Sequence, residues 1–358
     1  MPTDFKIKLN ELLLTTARQG ASDLHIAVGR KPTLRVDGKL LSLEQEQILT
    51  PDAASGLVSA MLTKEQLDYF IRNRQYDFSY TYQDKARFRV NVYFQRGYMS
   101  AALRLIPAQI RSIEELQLPS IFHDFTKVEQ GFFLVVGPAG QGKSTTLAAL
   151  LDEVNHSRTD HIITLEDPIE YLFVQDKGII SQREIGMDTL SFGAALRSVL
   201  RQDPDVLMIG EMRDRESIAM AMSAAETGHL VFSTLHTNSA AQTIDRIIDS
   251  FPADQQGQVT NQLSSTIVGI VSQRLVPRID GGRVPAVEVM IANPAIRNLI
   301  REKKTYQIDL VIETSIQEGM MSLNRSLADL VLKKQISVEQ AEASSVNPAE
   351  LRILLERS

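Results

Sequence analysis

The eight residues Gly137-Pro138-Ala139-Gly140-Gln141-Gly142-Lys143-Ser144 constrain this chain more than any other stretch. They fit G-x-x-x-x-G-K-[ST], the loop that cradles nucleotide phosphates. The flanks fit as well: Gly131 to Val136 reads as a buried strand entering the loop, and Thr145 to Leu151 as a helix leaving it. Glycines let successive backbone N–H groups curl around phosphate oxygens, and a helix N-terminus turns its partial positive charge to the same anion. In this pattern Lys143 reaches the β- and γ-phosphates and Ser144 offers its hydroxyl to Mg²⁺. Residues Gly137 to Thr145 are therefore expected to hold ATP with Mg²⁺. A Gly-rich strand-to-helix turn in any α/β domain is the blander alternative, and strand, GKS core and helix together weigh against it.

The same loop predicts an α/β core with a mostly parallel sheet, because apolar strands and helices alternate after it. His161 to Leu165 reads as one such strand and runs into Glu166-Asp167-Pro168-Ile169-Glu170. Ligands of open α/β sheets gather at the carboxyl ends of strands. These acids are therefore expected at the crevice that holds Lys143, one of them to orient or deprotonate water. Ser191 to Arg201 reads as a helix carrying Arg197 and Arg201 on one face. Asp205 to Glu211 is a hydrophobic strand ending in an acid, the form of a Mg²⁺-organising strand, with Glu211 acting through a water. His229 and His236 bracket the next strand. A lone histidine is more often structural, but His236 sits at a carboxyl end and suits a γ-phosphate sensor. The two rings lie roughly 23 Å apart at about 3.3 Å per residue, which excludes a shared metal.

The length of 358 residues allows two domains. Residues 1–107 read as a small α+β domain with an antiparallel sheet. A helix spans about 4–18, Asp23 to Ile26 alternates as a strand, and Asp37-Gly38 turns a hairpin between Leu34-Arg35-Val36 and Lys39-Leu40-Leu41. Helix starts follow at Thr50-Pro51 and at the capping box Thr63 to Gln66. Two alternating strands, Tyr76 to Tyr82 and Phe88 to Phe94, then flank a turn at Gln83-Asp84-Lys85. Arg87 and Arg89 lie on the face opposite Phe88 and Val90, and Arg96 and Arg104 follow. Spacing alone makes this a solvated sheet face; contact with nucleotide phosphates at a seam is the alternative. Residues 108–114 read as a linker, with a capping box Ser112 to Glu115 opening a short helix, and 115–358 as the nucleotide-binding domain.

In the last third, Val259, Leu263, Ile267, Ile270 and Val271 predict one long amphipathic helix. Gly281-Gly282 predicts a hairpin turn, and residues 292–358 a helical subdomain. Its first helix, 295–302, has Ala295, Ile296, Leu299 and Ile300 on an apolar face and Arg297, Asn298, Arg301 and Glu302 on a polar one. Ser337 to Gln340 and Asn347-Pro348 start two further helices.

Composition narrows the function classes. The absence of Cys excludes disulfides and thiolate metal sites and suits a reducing cytoplasm. A net charge of −6 argues against a nucleic-acid binder. No apolar run approaches the ~18 residues of a membrane span, and Met1 to Lys6 does not begin like a signal peptide. The expectation is a soluble cytoplasmic protein, not inserted in a membrane.

The ordered boxes GPAGQGKST, ITLEDPIEY, LRSVLRQDPDVLMIGEMRD and TGHLVFSTLHT resemble those of the secretion ATPases, hexameric motors of type II secretion, type IV pili and type IV secretion. The resemblance covers nearly the whole chain, from Ser22-Asp23-Leu24-His25 onward. It implies a PAS-like domain before a RecA-like ATPase core, a homohexamer, and peripheral attachment at an inner-membrane pilus platform protein. Residue by residue it makes Glu170 the catalytic glutamate, Glu211 the Walker B acid and His229 and His236 the histidines of the "His box". It also adds weight to Arg96 and Arg104 as nucleotide contacts. Within the family, Ala295 to Glu302 reads AIRNLIRE, the mark of the retraction motors of twitching motility, some of which work with an accessory retraction ATPase. Assembly motors are longer and usually carry a tetracysteine zinc site. Ala139 and Gln141 depart from the Thr and Ser usual in retraction motors, and Ser233 replaces a usual Gly. An accessory or assembly ATPase is the rival within the class; a RecA-like DNA motor and a nucleotide-gated regulator are the rivals outside it.

Overall fold

The structure, a computed structural model, describes residues 2–36, 38–82, 86–106 and 109–356. Asp37, the predicted turn at 83–85 and the predicted boundary at 107–108 lie outside the described residues. The chain divides into two compact units, Met1–Gln109 with Pro168–Leu172, and Ile110–Asp167 with Phe173–Ser358.

The first unit runs α1 (Pro2–Arg18), β1 (Asp23–Ile26), β2 (Thr33–Val36), β3 (Lys39–Ser42), α2 (Pro51–Ser59), α3 (Lys64–Asn73), β4 (Gln75–Tyr82), β5 (Ala86–Gln95) and β6 (Tyr98–Ile106). Its six strands form one antiparallel sheet in the order β3-β2-β1-β6-β5-β4. Helix starts fall where the caps predict. The Thr50 side chain accepts from Ala53 N ahead of Pro51, and Thr63 and Gln66 exchange both bonds of a capping box. Leu9, Leu12 and Leu13 of α1 bury against Phe88, Val90 and Val92, the inward set of β5. That alternation leaves Arg89 on the outward face.

The second unit follows with α4 (Phe122–Lys127), β7 (Gly131–Val136), α5 (Lys143–Ser157), β8 (His161–Glu166), β9 (Ile179–Glu184), α6 (Phe192–Val199), β10 (Val206–Ile209), α7 (Arg215–Glu226), β11 (Leu230–Leu235), α8 (Ala240–Asp249), α9 (Gln256–Thr266), β12 (Ile267–Pro277), β13 (Arg283–Ile291), α10 (Pro294–Arg301), α11 (Ile308–Thr314), α12 (Leu323–Leu332), α13 (Val338–Ser344) and α14 (Pro348–Glu356). The sheet order is β13-β12-β7-β11-β10-β8-β9, parallel throughout except for β13. Every residue of β7, β10 and β11 is buried, as expected of strands covered on both faces. The fold class expected from the sequence is the one observed: an α+β unit, and a second unit with an α/β core, a mostly parallel sheet and a helical C-terminal end.

Three local expectations are corrected. The helix predicted through Val271 ends at Thr266, and Ile267 begins strand β12 between β7 and β13. The apolar spacing fits a helix, but from Ile267 the run is β-branched and buried on both sides, which a central strand satisfies better. The capping box at Ser112 forms both of its bonds, yet the chain makes only one turn, because Gln117 takes a left-handed φ of 57°. On α10, Ala295 is exposed and Arg297 is half-buried, its guanidinium donating to the backbone oxygens of Ala292, Ser264 and Ser265. Arg297 thus caps the last carbonyls of α9 instead of facing solvent.

Candidate active site

The phosphate loop joins β7 to α5 at the carboxyl end of the parallel strands. Gly137 has φ 144°, and a Cβ there would lie 2.4 Å from the Gln273 backbone oxygen, so only glycine fits. Gly142, at φ 80°, precedes α5, whose first residue is Lys143. The Lys143 side chain is buried, and its ammonium donates to Gly137 O at 2.8 Å and Pro138 O at 2.9 Å. It lies 3.5 Å from His236 Nδ1. Three donors thus meet three acceptors.

His236 directly follows β11, so the strand delivers it to the loop. Its Nε2 is 3.1 Å from Glu211 Oε2. Burial, then the charges of Lys143 and Arg213, hold its pKa below the usual histidine value. The ring is therefore neutral at pH 7, with Nε2–H donated to the Glu211 carboxylate and Nδ1 left to accept from Lys143. Glu211 also pairs with Arg213. The backbone under Glu211 is pinned from the neighbouring strand: Ser233 Oγ donates to Ile209 O and Thr234 Oγ1 to Gly210 O, each at 2.7 Å. Ser233 therefore has a structural use that a glycine there would lack.

Lys143, His236 and Glu211 are brought together as the sequence predicts; His229 is not. It stands before β11 at the opposite end of the sheet, its Nδ1 2.9 Å from Ala224 O. Glu166 ends β8 buried, accepting from Thr164 Oγ1 at 2.7 Å. Glu170 groups with the first unit, where Pro168 to Tyr171 and Arg89, Arg104, Leu105 and Ile106 line a cavity of about 160 Å³. Asp23 anchors Arg104 there through a 2.9 Å ion pair. Burial raises the Asp23 pKa, but Ser22 and Arg104 outweigh it and hold the carboxyl below its usual range. Arg96 is exposed in the two-residue turn between β5 and β6, at φ 52°. From the end of that turn at Tyr98 the strand runs six residues to Arg104, roughly 20 Å at about 3.3 Å per residue, so the two do not serve one phosphate from the same chain.

Sequence reasoning missed Gln273, Arg213 and Thr146. Arg213 was readable as a cation two residues past the acid. Gln273 had no local signal, being 132 positions from its partner Gln141.

No group of three or more His, Cys, Asp or Glu among the described residues is arranged to hold a metal. Mg²⁺ in a nucleotide site needs none, since phosphates and waters supply most of its ligands. The hydroxyl of Ser144 and the carboxylate of Glu211 are hard oxygen donors of the type it takes.

The family profile described as "Type II/IV secretion system protein" matches residues 4–343. The chain belongs to this family. It is 46% identical over 345 residues to the "Type IV pilus retractation ATPase PilT" of Pseudomonas aeruginosa, covering 95% of this chain and 98% of that one. It is 44% identical over 317 residues to a "Twitching motility protein" of Neisseria gonorrhoeae, covering 88% and 84%. Among solved structures, the pilus retraction motor PilT with bound ADP superposes with a TM-score of 0.91 at 44% identity, covering 98% of this chain and 99% of that one.

Proposed function

We propose that this chain is an ATP-hydrolysing motor that powers retraction of a type IV pilus. The observation that carries the reading is near-full-length similarity to a pilus retraction ATPase at 46% identity. The Lys143–His236–Glu211 grouping supports it, because it holds the charged and acidic groups that phosphoryl transfer needs. The backbone from Gly137 to Thr145 cradles the phosphates, and Lys143 stabilises charge on the transferred group. Ser144 and Glu211 hold Mg²⁺, Glu211 through water. Glu170 orients the attacking water, and Arg96 and Arg104 are the candidates to add positive charge. His236 reports loss of the γ-phosphate to Glu211.

The motor works as a homohexamer in the cytoplasm, against a platform protein at the inner membrane, alone or with an accessory ATPase. No helix among the described residues is long and apolar enough to cross a membrane, which fits peripheral attachment.

Phosphate release by the wild type and by Glu211→Ala tests the chemistry. A large loss in the variant is expected; equal slow rates in both would leave a nucleotide-gated regulator. A deletion strain tests the physiology. Loss of twitching with surplus surface pili is expected, and normal twitching with normal pilus number would sink the retraction reading.

A further inference from the structure

The phosphate loop is tied to β12 by side chains as well as by its own turn. β12 pairs with β7 as far as Ser272 opposite Val136, where β7 gives way to the loop. β12 continues to Pro277, so its next residues run beside the loop without a strand partner on that side. Leu275 lies opposite Pro285 on β13. The Leu275 N–H donates to Gln141 Oε1 at 2.6 Å. In return Gln273 Nε2 donates to the Gln141 backbone oxygen at 2.7 Å, and Gln273 Oε1 accepts from Thr146 Oγ1 at 2.8 Å. Gln273 is 2% exposed and Thr146 is likewise buried. Three short bonds thus close around the loop from both its middle and the first turn of α5. Gly142 lies against the same amide: a Cβ on it would come within 2.9 Å of Gln273 Nε2.

We propose that Gln141 and Gln273 form an amide clasp that preorganises the phosphate loop, making Gln141 a positioning residue for nucleotide binding. Gln141 touches no reacting atom in this role. A serine at this position would be too short to reach Leu275 N across the same gap. The clasp holds the loop in one conformation before and during the reaction, so it favours ground state and transition state alike. Its loss is therefore felt in affinity, with turnover retained. The inference rests on nucleotide binding at this loop and deepens the proposed function.

The test measures ADP affinity, and KM and kcat for MgATP, on the full chain. Gln141→Ser and Gln141→Met both remove the amide, the second at nearly constant length. Each is expected to weaken ADP binding and raise KM by roughly three- to tenfold, the range of one net hydrogen bond, with kcat within about twofold. Gln273→Ala is expected to match them. The double variant Gln141→Ser with Gln273→Ala should be worse than either alone, since Gln141 gives up its bond to Leu275 N while Gln273 gives up those to the Gln141 backbone oxygen and Thr146. Unchanged ADP affinity and KM in both Gln141 variants would overturn the proposal. So would a lower melting temperature with normal affinity. Wild type that binds ADP but releases no phosphate would overturn the motor and leave the clasp standing on its ADP arm. Wild type that turns over while the Gln141 variants bind normally would overturn the clasp alone.

Discussion

The parallel sheet of the second unit has two ends, and one strand carries a histidine at each. β11 is six residues long, with His229 before it and His236 after it. His236 meets the Lys143 ammonium and the Glu211 carboxylate, and burial with two nearby cations lowers its pKa. His229 meets a backbone oxygen of its own turn. The chemistry of the two side chains is identical and the strand between them is shared. What separates them is which end of the strands they occupy. Ligands of open α/β sheets gather at the carboxyl end, and there a glycine-rich turn exposes its N–H groups. At the other end His229 closes a hydrogen bond on the turn before its own strand.

The sharpest way to break this contrast is to remove its charged centre. Lys143→Ala is expected to lower phosphate release by about a hundredfold or more, the cost of one preorganised charge-stabilising donor. Activity within tenfold of wild type would mean that the near end is not the reaction site. The histidines then separate the two ends directly. His236→Ala is expected to reduce kcat by roughly ten- to a hundredfold, because Glu211 and Lys143 lose the neutral group between them. His229→Ala should stay within about twofold on the same assay. Equal losses in the two variants would erase the distinction.

The near end was legible because its signals are local. Eight consecutive residues specify the loop, and a single acid at a strand end marks Glu211. That His236 shares their crevice was legible from its place at a strand's carboxyl end, but its contacts were not, since it lies 93 positions from Lys143 and 25 from Glu211. The two departures in the loop also differ in outcome. Gln141 proves to be bound to β12, whereas Ala139 is exposed and nothing in the structure explains it. The strand β12 was read as helix because Val259, Leu263 and Ile267 keep a helical period across the junction. Gly269 is the feature that tells against a surface helix: a Cβ there would come within 3.0 Å of both Phe125 and the Met290 backbone oxygen, so neighbours press closely on both sides. Periodicity records which residues are apolar and is silent on whether one face or two are covered.

Glu288 supports the near end from behind, and pH gives access to it. Its carboxylate accepts from Ala240 N at 2.7 Å, at the start of the helix that follows His236, while Ser272 opposite it donates to Asn238 O at 2.8 Å. Burial raises its pKa from 4.5 to about 7; Asp309 adds to the rise, while the Ala240 N–H and Arg274 oppose it. The folded protein therefore holds a proton between pH 4.5 and about 7 that the unfolded chain has released. Stability from this group is complete below 4.5, declines as pH rises, and is lost above about 7. Glu288→Gln keeps an acceptor for Ala240 N without the buried charge. It is expected to raise unfolding free energy by about 2 kcal/mol at pH 8 and by little at pH 4.5, measured by urea denaturation. A gain that is the same at both pH values would show that the carboxyl does not titrate in this range.

Arg297 probes the far end, where the effect should be smallest and purely structural. Its guanidinium donates to Ser264 O and Ser265 O at 2.7 Å each, and to Ala292 O at 2.9 Å. These carbonyls lie at the end of α9, immediately before β12 begins beside the start of β7. The bonds hold α10 to the same edge of the sheet that carries His229. Burial, with Arg301 nearby, lowers the Arg297 pKa, yet an arginine stays charged at any physiological pH. Arg297→Ala leaves these acceptors to water, at a cost of about 1 kcal/mol in unfolding free energy, since the site is half open. Because nothing it touches belongs to the phosphate loop, KM and kcat per folded molecule should not move. A stability loss accompanied by a tenfold change in KM would show that strain at the far end of β12 reaches Gln273 and the loop. In that case the two ends of the sheet would be one coupled device, and the contrast between the histidines would describe where the groups sit without describing how they act.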